Sequence, residues 1–393
     1  MKNMPGPSRS SAMKKINLIA ALLAACSLQA QTVTPGLALY AEAYAGFDIN
    51  QPLSRVRAPF MYNHHRLNEA SLNLVQAEFG HISLEGRVRA KIGLQAGTYV
   101  ERNLATEPLA LRNLTETFVG FKAPAQNLWF DIGIFNSHIG FESVKGIEND
   151  MLTRTLMADN SPYYEAGARA LYKGNKIDLG FFVLNGWQQI RNNGAVRTGP
   201  SVGTQIQWKS GRFTFNSSTF AGILNPRPQF IYRIFHNFWM SYASASQKHK
   251  LTFAFDAGYQ VLDNPVNVRT AFWNVQSLVY RFNLSQHWAA TARIEHFHDP
   301  EAVFIAQPFN SVYGGRVMVG AMGAEYRFHD DFCIRAEARY MQADEKFFER
   351  SSRQSANANP IVSYTDNNLS GVFAICYRIP AVQLIKEKPA VQQ

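Results

Sequence analysis

From residue 37 onward, apolar and polar side chains change places with a period of two along most of the chain. Leu37, Leu39, Ala41, Ala43 and Ala45 interleave with Tyr40, Glu42 and Tyr44. The longest such stretch is His81–Tyr99. It carries Ile82, Leu84, Val88, Ala90, Ile92, Leu94 and Ala96 on one parity, and Glu85, Arg87, Arg89, Lys91 and Gln95 on the other. Successive side chains of a strand point to opposite faces, so this spacing sets an oily face back to back with a charged one. Wound as a helix, the same charges would scatter around the axis and leave no apolar stripe. The pattern predicts one strand of nineteen residues there, against about 5–6 residues for a strand in a water-soluble domain. Alternation returns around 128–134, 166–173, 202–209, 290–295 and 332–340. Two stretches, Phe230–Tyr242 and Ala271–Phe282, carry large or polar groups on both faces and are expected to hold β-bulges. In all, about sixteen strands are expected, an even number as outer-membrane barrels require.

The connections between these strands alternate in length. Long ones are expected at 48–66, 100–114, 137–162, 188–200, 300–314 and 342–368, and short ones around Gly80 and at 124–126, 174–175, 210–211, 285–287 and 329–331. Barrels of the outer membrane have short periplasmic turns and longer extracellular loops. Trp208 and Phe213 flank one short turn, Phe328 and Phe332 another, and Trp288 follows a third. All five share the apolar parity, which is where the aromatic girdle of a membrane interface belongs.

Composition agrees with this placement. The chain is 13% aromatic and 17% charged, where about 25% charged is usual for a soluble domain. After the leader region, no run approaches the ~20 apolar residues of a membrane helix. Residues 1–30 read as a signal peptide: basic Met13-Lys14-Lys15, an apolar Ile16–Ala25 core, then Leu28-Gln29-Ala30 before Gln31. Leu23-Ala24-Ala25-Cys26 also fits the pattern ahead of a lipidated cysteine, but a polar tether usually follows such an anchor, and here an alternating strand begins within a few residues. Loss of the leader removes four basic residues and no acid, lowering the formal charge from +10 to +6. That is too mild to point to nucleic acid, and export argues against such a partner. An exported, aromatic-rich chain of strands can satisfy its backbone in lipid by closing on itself. The expected organisation is a signal peptide at 1–30, a barrel at 31–378 and a periplasmic or disordered tail at 379–393. The fold class is all-β: a transmembrane, antiparallel, up-and-down β-barrel.

Five segments carry a resemblance. Residues 62–74 (YNHHRLNEASLNL), 94–100 (LQAGTYV), 128–143 (LWFDIGIFNSHIGFES), 153–172 (TRTLMADNSPYYEAGARALY) and 183–190 (VLNGWQQI) resemble the β-barrel porin-2, OmpL-like family of Bacteroidetes-type outer membranes. The resemblance is clearest over residues 40–210. It implies a channel in the outer membrane of a Gram-negative bacterium, and it brings neither catalytic residues nor an established substrate. Many barrels end on an aromatic residue. Here Gly371–Tyr377 reads as the last strand, and the tail from Arg378 follows it.

Parity places Arg87, Arg89, Lys91, Arg169, Lys173, Arg293, Arg335 and Arg339 in the lumen, with Glu85, Glu165, Glu295 and Glu337 along the same strands. Charges of this kind are tolerated by a watery pore and set its ion selectivity, whereas an Arg or Lys facing lipid at mid-depth costs ~2–4 kcal/mol. They suggest a slight preference for anions, or salt bridges that merely fill the wall. The long connection 137–162 mixes Glu142, Glu148, Asp150, Arg154 and Asp159 with Phe141, Ile147, Met151, Leu152 and Leu156. A loop with such apolar anchors can fold into the barrel and narrow it; otherwise it is an external surface loop. Cys333 and Cys376, the only cysteines after the leader, point inward near the short-turn end. They can form a disulfide if their strands are neighbours.

Enzyme-like patterns fail on context. Gly199-Pro200-Ser201-Val202-Gly203 matches G-x-S-x-G but leads from a loop into a strand, not through a strand–turn–helix elbow. His296 and His298 share a face near the outer rim beside Asp299 and fall short of a metal set, and His64 and His65 point apart. No cofactor is implied. The expectation is therefore a porin, a passive diffusion channel for small polar or anionic solutes, monomeric or homotrimeric and surrounded by outer-membrane lipid. Its rivals are a plugged structural or adhesion barrel and, further off, a lipase-like barrel enzyme.

Overall fold

A sheet with one oily and one polar face must cover the oily side or surround itself with lipid, and closure removes the unpaired edges. The computed structural model describes residues 33–382 except 84, 125–126, 192–199, 226–229, 264–267, 309–312 and 353–359. The strands are β1 (Gly36–Asp48), β2 (Ala70–Ser83), β3 (Val88–Ala96), β4 (Thr117–Lys122), β5 (Leu128–Asn136), β6 (Tyr164–Lys173), β7 (Ile177–Leu184), β8 (Ser201–Ser210) and β9 (Phe213–Asn225). They continue with β10 (Phe230–Ala243), β11 (His249–Asp263), β12 (Val268–Asn283), β13 (Trp288–Asp299), β14 (Gly315–His329), β15 (Phe332–Ala343), β16 (Phe348–Ser352), β17 (Ile361–Thr365) and β18 (Asn367–Val382). Sixteen of them form a closed antiparallel barrel in chain order, sealed by β1 pairing with β18, while β16 and β17 make a separate hairpin in the last long loop. Three short helices, α1 (Thr98–Asn103), α2 (Leu109–Arg112) and α3 (Leu156–Asp159), sit in the connections.

Four expectations are corrected. The supposed nineteen-residue strand is two strands, β2 and β3, joined by a tight turn in which Glu85 and Gly86 have φ of 55° and 80°. Glu85 and Arg87 lie in that exposed turn rather than in the lumen, and Gly80 lies inside β2. The alternation looked continuous because Ile82 pairs with Arg89. Cross-strand partners share a face, and an even number facing an odd one reverses the parity across the turn. The bulges are also placed differently. β12 pairs without any register shift on either side, and in β10 the only shift lies at Ile231/Tyr232 against β9. The two stretches looked blurred because their inward side chains, Phe235, Trp239, Trp273, Val275 and Val279, are apolar and buried inside the barrel. The alternation of long and short connections breaks between β9 and β10 and between β11 and β12, where only four residues intervene on the outer side. Last, β18 runs to Val382, four residues beyond the expected barrel boundary at Arg378.

The girdle lies where the parity put it. Trp208, Phe213, Trp288 and Phe328 are exposed on the outer face and Phe332 is half-buried there. Trp208 stacks on Phe215 at 5.2 Å, Trp288 meets Tyr326 at 4.8 Å, and Phe328 meets Phe332 at 5.1 Å. Above this belt the outer face is lined by Ile92, Val119, Ile132, Leu179 and Ile294, all exposed as lipid-facing residues must be.

Candidate functional site

The loop between β5 and β6 enters the barrel and crosses it. It leaves β5 at Asn136, makes a 3-10 turn at Gly146–Glu148 and a helical turn at α3, and rejoins the wall at Tyr164. In the ring of sixteen strands, the wall opposite β5 and β6 is β13 and β14. There, and on the neighbouring β11, β12, β15, β18 and β1, the loop finds its partners. Residues Met151 to Ala158 are buried throughout, and Arg154, Thr155 and Leu156 are inaccessible to solvent.

The docking contacts are mostly charge-assisted. Arg335 donates to the Asp150 carbonyl at 2.7 Å and also to the Gly146 carbonyl. Arg293 donates to the Thr153 carbonyl at 2.6 Å. Glu337 accepts from the Thr153 amide at 2.9 Å and from its hydroxyl, and Glu295 accepts from the Leu156 amide at 2.6 Å. Lys250 pairs with Asp150 at 2.9 Å. Such bonds to charged groups are worth about 1.5–3 kcal/mol each when buried. Apolar contacts reinforce them: Leu156 and Met157 pack with Phe60, Trp239, Val275 and Phe297 in one interior cluster. Phe60 comes from the first loop, and its carbonyl accepts from Asn160 at 3.2 Å.

A second anchor was invisible in the sequence. Glu42, fully buried on β1, accepts from the Gly146 amide at 2.9 Å, from Asn73 at 2.8 Å and from Tyr40, and its Oε1 lies 2.5 Å from His64 Nε2. A Cβ added at Gly146 would lie 2.4 Å from Glu42 Oε2, so any larger residue there must push the carboxylate from this seat. His64 joins the first loop to the same carboxylate; no motif spacing links residues 42, 64, 73 and 146.

Most of the expected lumen residues do point inward. Arg89 and Arg169 share Asp131 at 2.6 and 2.8 Å. Lys91 bridges Glu116 and Glu78, the latter also held by Lys145 at 2.7 Å. Lys173 lies 3.7 Å from Asp178 and is half-buried at the periplasmic end. On the facing wall Arg293 pairs with Glu295 at 2.8 Å and Glu337 at 3.3 Å, and Arg339 reaches Glu295 at 3.4 Å. Arg335, Arg281 and Arg327 converge on Glu325. Glu165 holds His138 at 2.9 Å, and the imidazole stacks on Phe182. Arg89, Arg169, Arg293, Arg335 and Arg339 are each at most 4% exposed. In an open water-filled lumen they would be hydrated; here peptide and neighbouring side chains cover them.

Within the loop, Glu142 accepts from the Thr155 hydroxyl at 2.6 Å and Glu148 from Ser143 at 2.6 Å. The guanidinium of Arg154 lies over the Tyr163 ring, 3.6 Å from its centre, with Tyr99 at 4.9 Å. Burial raises the carboxyl of Glu142 to about 7 and that of Asp159 to about 6, against the opposing pull of Arg293 on the first and Arg154 on the second. Cys333 and Cys376 are direct cross-strand partners, both buried and both free thiols, with Cys376 Sγ 3.7 Å from Glu42. His296 and His298 stand outward on β13 with ring centres 6.2 Å apart, and no metal-holding cluster is found among the described residues. Ser201 opens β8 as a buried strand residue, and Gly199 lies outside the described residues.

Comparison with known proteins agrees with this architecture. The family described as "Putative beta-barrel porin-2, OmpL-like" matches residues 36–375. No curated protein matches the chain. Among solved structures, the anion-selective porin from Comamonas acidovorans superposes with a TM-score of 0.56 at 8% identity, covering 88% of this chain and 99% of that one. The outer membrane channel DcaP of Acinetobacter baumannii gives 0.55 at 10% identity, over 87% and 96%. Salmonella typhi OmpF, in complex with daunomycin, gives 0.52 at 13%, over 87% and 97%. At these identities the likeness is one of fold.

Proposed function

The chain belongs to the β-barrel porin-2, OmpL-like family, and from that premise we propose a diffusion channel for small polar and anionic solutes whose lumen is closed until the 137–162 loop leaves the opposite wall. The protein is an outer-membrane porin of a Gram-negative bacterium; its solutes and its gate are the proposal. One observation carries it. The wall charges that would hydrate and select a solute, Arg293, Glu295, Arg335, Glu337 and Arg339, are engaged by a loop rather than by a folded domain. Hydrogen bonds from a loop to a wet-capable wall can be exchanged for bonds to water, so release leaves a polar passage lined by fixed charges. Glu142, Glu148, Asp150, Arg154 and Asp159 are then the constriction. The lumen Arg and Lys residues, with their carboxylates, give a mild preference for anions.

The finer points of this proposal follow the same lines. Residues 1–30 direct export, and the barrels assemble as homotrimers. No catalytic role is assigned to any residue.

The test is conductance in planar bilayers and swelling of liposomes with neutral sugars, amino acids and dicarboxylates of graded size, for the native chain and for a variant lacking Gly146–Leu156. The deletion should enlarge the conductance and raise the size limit, with a reversal potential on the anion side. A plugged structural barrel is the second reading, favoured by the burial of the same arginines. It is adopted if neither protein conducts although both fold.

A further inference from the structure

The outer face of the barrel is not apolar throughout. Deep in the wall, on β8, β9 and β10, the Thr204 and Thr219 hydroxyls are 2.6 Å apart and Ser217 Oγ lies 2.9 Å from His236 Nε2. Those groups bond to one another, and their cross-strand neighbours Phe181 and Ala257 are uncharged. A set on β12, β13 and β14 is different. Asn274 pairs in register with His298, Gln276 with His296, and His298 in turn with Arg316. Cross-strand partners share a face, so all five stand on the outside. Arg316 is exposed and the others are half-buried.

Depth sets this group apart. Trp288 marks the periplasmic girdle, and on the same strand His296 is eight residues farther and His298 ten. At about 3.3 Å per residue and a tilt near 40°, they lie on the order of 20 and 25 Å above it. The apolar band is about 25 Å tall, so the set stands at its outer edge, where lipid tails give way to headgroups. Just below, the wall is apolar again: Ile294 pairs with Leu278, and Met322 is exposed. His296 Nδ1 lies 2.6 Å from Gln276 Oε1, and Gln276 Nε2 donates to Asn274 Oδ1 at 2.8 Å. An amide oxygen only accepts, so the imidazole proton is held on Nδ1 and Nε2 is left open. The His298 ring lies within 15° of parallel to it, with centres 6.2 Å apart. Among the described residues, no hydrogen bond or ion pair reaches His296 Nε2, the His298 ring or the Arg316 guanidinium. The carboxylates nearby are engaged by backbone: Asp344 accepts from the Arg316 amide at 2.7 Å and Glu301 from the Phe272 amide at 3.3 Å.

The geometry points to a seat for the phosphate of an outer-leaflet lipid, one whose sugar headgroup carries phosphate monoesters. A monoester bears about −1.5 to −2 charge near neutral pH, which a guanidinium and two imidazoles complement. Arg316 brings a permanent positive charge and a fork of donors. His296 Nε2 accepts from a phosphate hydroxyl or, once protonated, donates to a phosphate oxygen. With bonds of about 2.8 Å on each side, one phosphate spans both rings. A lipid is favoured over a dissolved anion because these side chains face away from the lumen, at the level to which a membrane confines its headgroups. Ile294, Leu278 and Met322 lie below to receive the acyl chains. A divalent metal is disfavoured by the guanidinium in register with His298. The contacts of the crossing loop face the lumen and these residues face lipid, so the inference stands apart from the channel's solutes and its gate.

The test is native mass spectrometry of the folded protein in mild detergent, titrated with bisphosphorylated lipid A, with the same lipid after removal of its phosphates, and with inorganic phosphate. The native protein should bind the phosphorylated lipid about tenfold or more tighter than the dephosphorylated one. Together, His296→Gln, His298→Gln and Arg316→Gln should abolish that difference and leave binding of the dephosphorylated lipid unchanged. His236→Gln, deep in the wall, should alter neither. Heat-modifiable mobility confirms that each variant is folded. Inorganic phosphate in large excess should not displace the lipid. Equal binding of the two lipids, an unchanged preference in the folded triple variant, or displacement by inorganic phosphate overturns the assignment. So does a triple variant that changes its oligomeric size but not its lipid binding, because the patch then meets protein. Single-channel conductance should be the same in the triple variant, so failure of the lipid seat leaves the channel reading untouched, and a native protein that does not conduct leaves the seat untouched.

Discussion

If the lumen is shut by a docked loop, weakening the dock without touching any charge should open the channel in proportion to the energy removed. Leu156 is the residue for this. Its side chain is wholly buried among Phe60, Trp239, Val275 and Phe297, while its amide, which Glu295 holds, survives any substitution but proline. Leu156→Ala removes three buried carbons and leaves a cavity between loop and wall, a change that costs about 2–4 kcal/mol at comparable sites. The barrel strands make none of their pairing through Leu156, so the cost falls on the docked state. At 1.4 kcal/mol per factor of ten, the ratio of docked to undocked loop falls about 30- to 700-fold. Starting from an undocked population of about 0.1–1%, openings become frequent, from a few per cent of the record to most of it. Single-channel recording reads this directly as open probability at unchanged open-state conductance. The reasoning fails if Leu156→Ala records match the native ones while the Gly146–Leu156 deletion conducts freely, because the interior cluster then has no part in holding the loop.

Three further outcomes are expected. Gly146→Val forces a side chain into the seat where Glu42 approaches to 2.4 Å of a Cβ. It should raise open probability while leaving the heat-modifiable barrel intact, and an unaltered record would remove the Glu42 anchor from the gate. Burial holds Glu142 and Asp159 protonated to about pH 7 and 6 in the docked loop. An undocked, hydrated loop releases those protons at ordinary carboxyl values. The docked state therefore binds more protons through this window, is fully stable below about pH 4, and weakens as the pH rises to about 7. Open probability should climb between pH 5 and 7.5, and a fall over that range would reject the assignment. For Cys333 and Cys376, alkylation of the denatured, unreduced protein should add two groups by mass spectrometry, since a bridge between direct cross-strand neighbours is geometrically demanding; a protein that takes up none carries the disulfide instead.

The period of two carried the barrel because lipid on one side and polar groups on the other impose it on every strand. Where it misled, the cause was local. At 85–87 the turn reverses parity while its own polar residues keep in step with the alternation on either side, so Glu85 and Arg87 seemed to continue a charged face that begins only at Arg89. At β10 and β12 the inward face is apolar because it meets the loop, a tertiary fact that strand-by-strand reading mistakes for irregular pairing. Arg293, Glu295, Arg335, Glu337 and Arg339 were legible as inward charges. Their partners in the loop lie some 140 to 190 positions away, and no spacing rule spans that distance. Glu42 and His64 were beyond reach for the same reason, each being an ordinary polar residue until the other and Gly146 are brought beside it.

The two anchors divide the work of holding the loop. The Glu42 seat joins the Gly146 turn to β1, Asn73 and, through His64, the first loop. The wall of β13 and β15 holds Thr153 and Leu156. Between them run only Ile147 to Leu152, a segment too short to refold independently, so the loop is expected to leave both seats in one step rather than peel from one end. That cooperativity has a kinetic sign. A substitution at either anchor should shorten closed times by a similar factor for the same loss of energy, and the double variant should shorten them by about the product of the two, because in a single step both seats must break before the passage opens. If the double variant instead falls short of the product, one seat is already released before the step that opens the passage, and the loop opens in parts.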